Sequence, residues 1–375
     1  MANNNKHTGP NVPALRFPEF SGEWEKKCLG DISENISSGK TKSRTTVGKY
    51  VLIGSTGVIG NTSDADYSGN LILVARVGAN AGLINYYSGD CGISDNTLII
   101  KPLEQEKNFC HYVYHYLKHC NLNQFVFGSG QPLITGGMLK RLPIRYGTTD
   151  EINKLSSLFD LLDARIKTQS KIIEELTALR SALTEKCSRQ AGTLFSLADI
   201  LEETDERSTV VNQYQVLSST VKGIFSQKEY FNKDIASEDN KGYKVVRRGN
   251  VVLSPQNLWM GNINYNNRFD VGIVSPSYKI YSIKKGFNPT FIAALLKSKK
   301  ALYEYMLASE QGASVVRRNL NVEAFMGITF RIPNAYQQEV LSKAIAAIDL
   351  KLSNELAIFE QLQLQKGSLL ENMFI

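Results

Sequence analysis

Histidines at positions 111, 115 and 119 stand four residues apart, with Cys110 and Cys120 beside the outer two. On a helix, side chains four apart share a face, so one neighbouring pair could hold a transition-metal ion through imidazole nitrogens. Three spread over two turns do not converge on one ion. With Tyr112, Val113, Tyr116 and Leu117 interleaved, the segment reads as a helix packed on its domain with a wet histidine face, and no metal is assigned to it. Other candidate chemistries each break at one position. Ser38-Gly39-Lys40-Thr41 ends like a phosphate-binding loop, yet the glycine required five residues before Gly39 is Glu34. Asn288-Pro289-Thr290-Phe291 lacks the second proline of the Asn-Pro-Pro-Phe loop that holds a flipped base for amino methylation, and Gly128-Ser129-Gly130 follows Phe127 directly, which spoils a Phe-x-Gly-x-Gly cofactor loop. No Pro-Asp dipeptide occurs, which removes the commonest form of the nuclease carboxylate motif. No catalytic residue and no bound cofactor is assigned.

What remains is polar, basic and carried on loops. In the first half the candidates are Lys40, Thr41, Lys42 and Arg44, then Arg76 and Asn80, then Ser129 and Gln131. In the second they are Lys222, Arg247, Arg248, Gln256 and Asn257, then Arg317, Arg318 and Asn319. Arginine to guanine and Asn or Gln to adenine are the standard two-bond contacts in the major groove, and glycines beside them let the backbone approach phosphate. An excess of 43 Lys and Arg over 36 Asp and Glu, a net charge of +7, permits a polyanionic partner without requiring one, so the loops carry the argument.

The elements that must position those loops come in two copies. From Ile152 to Leu183, apolar residues recur at alternating steps of three and four, the seam of a coiled coil, with Gln169 and Arg180 as its polar exceptions. A shift of 186, which carries Arg145 to Arg331, lands on a second seam from Gln338 to Leu369 whose interior exceptions, Glu355 and Lys366, fall at the same two places. Both helices open alike: Thr148 with Glu151 spells a capping box, and Asn334 with Gln337 offers the same bonds. Upstream of each lies a glycine-rich, β-branched-rich segment. Gly69-Asn70-Leu71-Ile72-Leu73 resembles Gly249-Asn250-Val251-Val252-Leu253, and Gly82-Leu83-Ile84-Asn85-Tyr86 resembles Gly261-Asn262-Ile263-Asn264-Tyr265.

The expected fold is therefore α+β: two mixed α/β recognition domains related by a pseudo-twofold repeat and separated by two long antiparallel coiled-coil helices. The boundaries read as a disordered leader over 1–13, a first domain over 14–149, a first helix over 150–190, a second domain over 191–335 and a second helix over 336–375. In an antiparallel register the polar exceptions pair as Arg180 with Glu355 and Gln169 with Lys366, with apolar layers between. At 1.5 Å per residue each helix would run roughly 55 Å, enough to hold two domains over sites about one DNA turn apart. A chain of 375 residues with 42% hydrophobic side chains has material for two cores. Its five cysteines, odd in number and without Cys-x-x-Cys, fit a reducing compartment. The absence of a long apolar run and the polar start, Met1 to Pro10, point to a cytoplasmic protein.

Val12-Pro13-Ala14-Leu15-Arg16-Phe17-Pro18-Glu19-Phe20, then Gly22-Glu23-Trp24-Glu25 and Leu29-Gly30-Asp31-Ile32, closely resembles the opening of type I restriction-modification specificity subunits, and Leu197-Ala198-Asp199-Ile200 restarts the second half in the same way. Gly128-Ser129-Gly130-Gln131-Pro132 with Ile134, leading through Leu142-Pro143 into the long helix, resembles the end of a target recognition domain in that family, as does Val274-Ser275-Pro276-Ser277-Tyr278. The second half carries Ser314-Val315-Val316-Arg317 where the first has Gly-Ser-Gly-Gln. The resemblance implies a non-catalytic subunit whose two domains each read one half of an asymmetric, bipartite site on double-stranded DNA. It further implies helices that dock two methyltransferase subunits carrying S-adenosylmethionine, and motor-nuclease subunits using ATP and Mg in the full complex. Two other readings differ in kind: a stand-alone DNA adenine methyltransferase, which should bind the cofactor by itself, and a coiled-coil assembly protein whose basic loops are incidental.

Overall fold

The computed structural model describes residues 11–42, 48–125, 132–231, 239–311 and 318–375. The chain divides into two compact units. Unit 1 comprises residues 1–170 and 357–375, and unit 2 comprises 171–356.

Unit 1 runs β1 (Glu25–Cys28), β2 (Ser33–Ser38), β3 (Tyr50–Gly54), β4 (Gly57–Thr62), β5 (Asn70–Ala75), β6 (Ile84–Ser88), β7 (Cys91–Ile93), β8 (Thr97–Pro102), α1 (Lys107–His119), α2 (Gly136–Lys140), β9 (Pro143–Tyr146) and the start of α3 (Thr149–Ser188). Strand β5, a continuous apolar run, lies inside a sheet of order β2-β8-β5-β6, as such runs do when both faces are covered. Because strand side chains alternate, Ile72 and Val74 enter one core with α1 while Leu71 and Leu73 enter another with Ile53 and Ile93.

Unit 2 continues with β10 (Thr193–Ser196), α4 (Leu197–Ile200), β11 (Leu201–Thr204), β12 (Leu217–Thr220), β13 (Gly223–Ser226), α5 (Gln227–Phe231), β14 (Lys244–Arg247), β15 (Asn250–Leu253), β16 (Ile263–Tyr265), β17 (Val271–Val274), β18 (Lys279–Ile283), α6 (Pro289–Leu295), α7 (Lys299–Leu307), β19 (Ser309–Gln311), β20 (Arg318–Leu320), α8 (Val322–Met326), β21 (Thr329–Ile332) and the start of α9 (Ala335–Met373). Its four-stranded sheet has the order β11-β18-β15-β16, the same topology as unit 1. The partition of the central strand repeats as well, with Val251 and Leu253 in one core and Val252 in the other. The strand pairs predicted from the Gly-Asn repeats are β5 with β6 and β15 with β16. Asn288-Pro289-Thr290-Phe291 is the cap of α6: the Asn288 Oδ1 accepts from the backbone of Thr290 and Phe291 at 3.1 and 3.2 Å, with Pro289 at the first helical position.

The two long helices form over 40 and 39 residues. Thr148 Oγ1 accepts from the Glu151 N–H at 3.4 Å and Asn334 Oδ1 from the Gln337 N–H at 2.9 Å, the N-cap halves of the expected boxes. Within unit 1, α3 and the end of α9 run antiparallel: Phe159 packs on Phe374 at 5.3 Å between ring centroids, and further along α3 Asp163 pairs with Lys366. Within unit 2 the same sense holds, with Arg180 paired to Asp349, and Leu183 and Cys187 packed in one core with Ile345 and Leu341. The ion pairs correct the expected register. Arg180 meets Asp349 rather than Glu355, and Lys366 meets Asp163 rather than Gln169. The acids that close both pairs, Asp163 and Asp349, flank the apolar seam rather than lying on it, so the seam's own polar exceptions do not identify the partners. Gln169 and Glu355 are both buried, and each has polar partners. The repeat itself holds: the shift of 186 carries Asp163 to Asp349 and Arg180 to Lys366, so the two ion pairs are images of one another.

No helix among the described residues is long and apolar enough to cross a membrane.

Candidate nucleic-acid interface

In unit 1 the predicted loops gather at one end of the sheet. Strand β2 finishes at Ser38, beside Leu98, and β5 finishes at Ala75, beside Thr97, so the segments that follow both strands emerge together. Gly39 is required there because a Cβ on it would lie 2.3 Å from the Ser94 carbonyl oxygen and 2.4 Å from that of Ile93. Thr41 is buried: its hydroxyl donates to Asp66 and accepts from the Ile93 N–H at 3.0 Å. The phosphate-loop look of Ser38 to Thr41 is thus a strand crossing, and Thr41, predicted to touch DNA, is instead an internal tie. Lys40 and Lys42 stay exposed on either side of it.

Arg76 donates through Nη1 to Ser38 Oγ at 3.3 Å, and its buried Nε has no partner among the described residues. The segment after the predicted Gly-Ser-Gly-Gln loop returns to the same place. Ile134 donates its N–H to the Arg76 carbonyl at 2.9 Å, Val77 bridges Leu133, and Gly78 donates to Pro132 at 3.1 Å. Asn80 is exposed at the turn that follows. Arg44, Ser129 and Gln131 lie outside the described residues, as does Arg317 in the second half.

Unit 2 repeats the arrangement with other side chains. The segment after β15, Pro255–Met260, is a 3-10 turn, and Arg318, which precedes α8 as Ile134 precedes α2, lies over the Trp259 ring at 4.8 Å. Gln256 and Asn319 are exposed and Asn257 half-buried around this stack. Lys222 is exposed at the turn between β12 and β13. That turn adjoins Gly261, because the Lys297 ammonium donates to the Gly261 carbonyl at 2.8 Å and to that of Val221 at 3.5 Å. Burial, with the positive charge of Arg180 nearby, pushes the Lys297 ammonium down to about 8.

Arg247 ends β14 and Arg248 follows it in the turn that leads into β15, opposite the end of β15 that carries Trp259. Both are engaged within the chain: Arg247 grips Glu206 through two bonds of 2.9 and 2.7 Å, and Arg248 binds Asp270 at 2.9 Å. Their predicted grouping with the other loops is not what the fold builds. Sequence reasoning also passed over Arg207. Aligning Leu29-Gly30-Asp31-Ile32 with Leu197-Ala198-Asp199-Ile200 puts Arg207 at the position of Gly39, so the signal was present. The buried Lys244 and Arg207 share Asp205, and these two cations hold the Asp205 carboxyl below its usual range.

Each unit therefore presents, at one end of an identically ordered sheet, guanidinium and amide donors on a firmly packed base. Such donors suit hydrogen-bond recognition of base edges and phosphates.

Residues 21–178 match the family model of the Type I restriction modification DNA specificity domain. The type I restriction enzyme EcoprrI specificity subunit of Escherichia coli is 22% identical over 193 residues, which cover 49% of this chain and 45% of that one. The chain thus spans about half the length of this curated relative. The S subunit of a type I restriction-modification system from M. genitalium superposes with a TM-score of 0.66 at 15% identity, over 97% of this chain and 99% of that one. A chain solved in work on complex assembly and conformational transition of the type I R-M system gives 0.51 at 12% identity, over 94% and 97%. At these identities the structural likeness establishes the fold alone. By sequence over its first half, and by fold over nearly its whole length, this chain is similar to the type I restriction-modification specificity subunits.

Proposed function

We propose that the chain is the DNA sequence-specificity subunit of a type I restriction-modification complex, without catalysis of its own. Each unit reads one half of a bipartite, asymmetric site, and α3 with α9 sets the spacer. The observation that carries this reading is the paired loop end: one sheet order, built twice, with Arg76 and Pro132–Ile134 on one copy and Trp259 and Arg318 on the other. A scaffold held constant while its reading groups differ is what recognition of two unlike half-sites needs.

Two methyltransferase subunits would dock on the long helices, where Leu161 and Leu179 on α3 and Leu350 and Leu364 on α9 leave half or more of their surface in solvent. S-adenosylmethionine, ATP and Mg would belong to the methyltransferase and motor-nuclease subunits. The working place of such a complex is the cytoplasm. The test is to replace residues 14–149 with the corresponding segment of another specificity subunit and map methylated adenines in cells carrying the chimera and its methyltransferase. One half-site should change while the other half and the spacer stay. A changed pair of half-sites, or no change, refutes the assignment.

A further inference from the structure

The histidine face of α1 is not wet. His115 is 1% exposed, and His111, with 15% of its side chain exposed, sits edge-on to the Tyr86 ring at 4.2 Å between centroids. Both turn toward one carboxylate on α3. His111 Nδ1 lies 2.6 Å from each oxygen of Asp160, and His115 Nε2 lies 3.1 Å from Oδ1. One nitrogen from each ring and a carboxylate oxygen all fall within 4.8 Å of one another. His119, the third histidine of the series, stacks on Phe374 and takes no part.

Hydrogen bonding alone leaves this cluster incomplete. A neutral imidazole that donates to Asp160 turns its other nitrogen into an acceptor, and the buried His115 Nδ1 and His111 Nε2 have no donor among the described residues. A cation bound between Nδ1 of His111, Nε2 of His115 and the Asp160 carboxylate reverses those roles. His115 Nδ1 then carries a hydrogen, and Asp163 Oδ2 lies 4.0 Å from it, within ion-pair range though beyond direct hydrogen-bond reach. Two imidazoles and one carboxylate favour zinc or its neighbours over Mg or Ca, and three protein ligands with a water complete a tetrahedral zinc.

We propose that His111, His115 and Asp160 form a binding site for a divalent transition metal of the zinc class, clamping α1 to α3 within unit 1. The ion's part is structural: it joins a helix of the recognition domain to the long helix, two elements already held by apolar packing around Phe159 and Tyr112 and by the Ser156 hydroxyl, which donates to the Asn108 carbonyl at 2.6 Å.

The full chain, stripped with a chelator, is titrated with Zn2+ at pH 7.5 against a chromophoric competitor, with Co2+ as a spectroscopic probe. One ion per chain is expected, with a visible Co2+ spectrum of nitrogen and oxygen ligation and no thiolate charge-transfer band. Asp160→Asn, nearly isosteric, and His111→Gln at the less buried of the two histidines should each weaken binding by about 100-fold or more, whereas His119→Gln should leave it unchanged. Failure of the wild-type chain to take up one equivalent overturns the site regardless of how the variants fold. So does a thiolate band, or affinity retained in Asp160→Asn.

Discussion

Glu151 opens α3 as a capping residue by sequence, yet its carboxylate is spent elsewhere. Its side chain is 1% exposed, and it accepts from Arg16 Nε at 2.7 Å, Arg16 Nη2 at 2.8 Å and Trp24 Nε1 at 3.1 Å. Arg16 and Trp24 belong to the opening motifs that resemble specificity subunits, so part of what those motifs encode is a clasp between the start of the domain and the start of its helix. Gly147 completes it, since a Cβ there would lie 1.9 Å from Glu151 Oε2. Glu151→Ala leaves Arg16 facing a vacated, largely buried position. A loss of about 3 to 5 kcal/mol is expected in chemical denaturation, and a loss under 1 kcal/mol would show the pair to be dispensable. Arg16→Met with Glu151→Leu should recover much of it. Lys297 supplies a second prediction, in pH. Its folded value of about 8 lies below the ordinary 10.5, so between those values the unfolded chain holds a proton that the folded chain does not, and stability rises with pH across that window. Relative to Lys297→Met, the wild type should gain about 1 to 3 kcal/mol between pH 8 and 10.5. A constant difference across that range sinks the assignment. None of these roles shows in a residue's own type: Glu151 spelled a cap, and its true partners lie 127 and 135 positions away.

At the scale of elements, the long helices were legible because a three-four repeat sustained over about ten seam positions arises in little besides long paired helices. So were the paired strands, β5 with β6 and β15 with β16, whose Gly-Asn starts recur. The register of the helix pair was not. A seam pattern says which face is apolar, while interhelical ion pairs depend on the acids that flank it, and Asp163 and Asp349 lie off the seam. Arg180 and Asp349 keep 35% and 42% of their side chains exposed, so their pair is worth little in absolute terms. A double-mutant cycle between Arg180→Ala and Asp349→Ala should give a coupling of about 0.5 to 1 kcal/mol. The Lys366 and Asp163 cycle should come out larger, since Lys366 is only 13% exposed. A stronger coupling of Arg180 to Glu355 than to Asp349 would restore the register first expected.

At the scale of the whole molecule, duplication was readable and convergence was not. Sequence spacing named the loops, but only the fold decides which of them share a sheet end. It brings Arg76 to the segment before α2 and Arg318 onto Trp259, and it sends Arg247 and Arg248 to the far end of β15, into pairs with Glu206 and Asp270. On the proposed function this difference is measurable. In the assembled methyltransferase, Arg76→Gln should weaken binding to the intact site and relax discrimination against changes in one half, and Arg318→Gln should do so for the other half. Each should cost about 1 to 3 kcal/mol where the guanidinium reads a base, or lower the salt slope by about one where it holds a phosphate. Arg247→Gln should leave affinity, slope and methylation pattern within error of the parent, because its charge is already matched inside the unit. Fluorescence anisotropy at several KCl concentrations, with oligonucleotides mutated in one half-site at a time, separates these outcomes. Equal losses from Arg247→Gln and Arg318→Gln would mean that DNA contacts both ends of the sheet, and the sheet-end interface would be wrong.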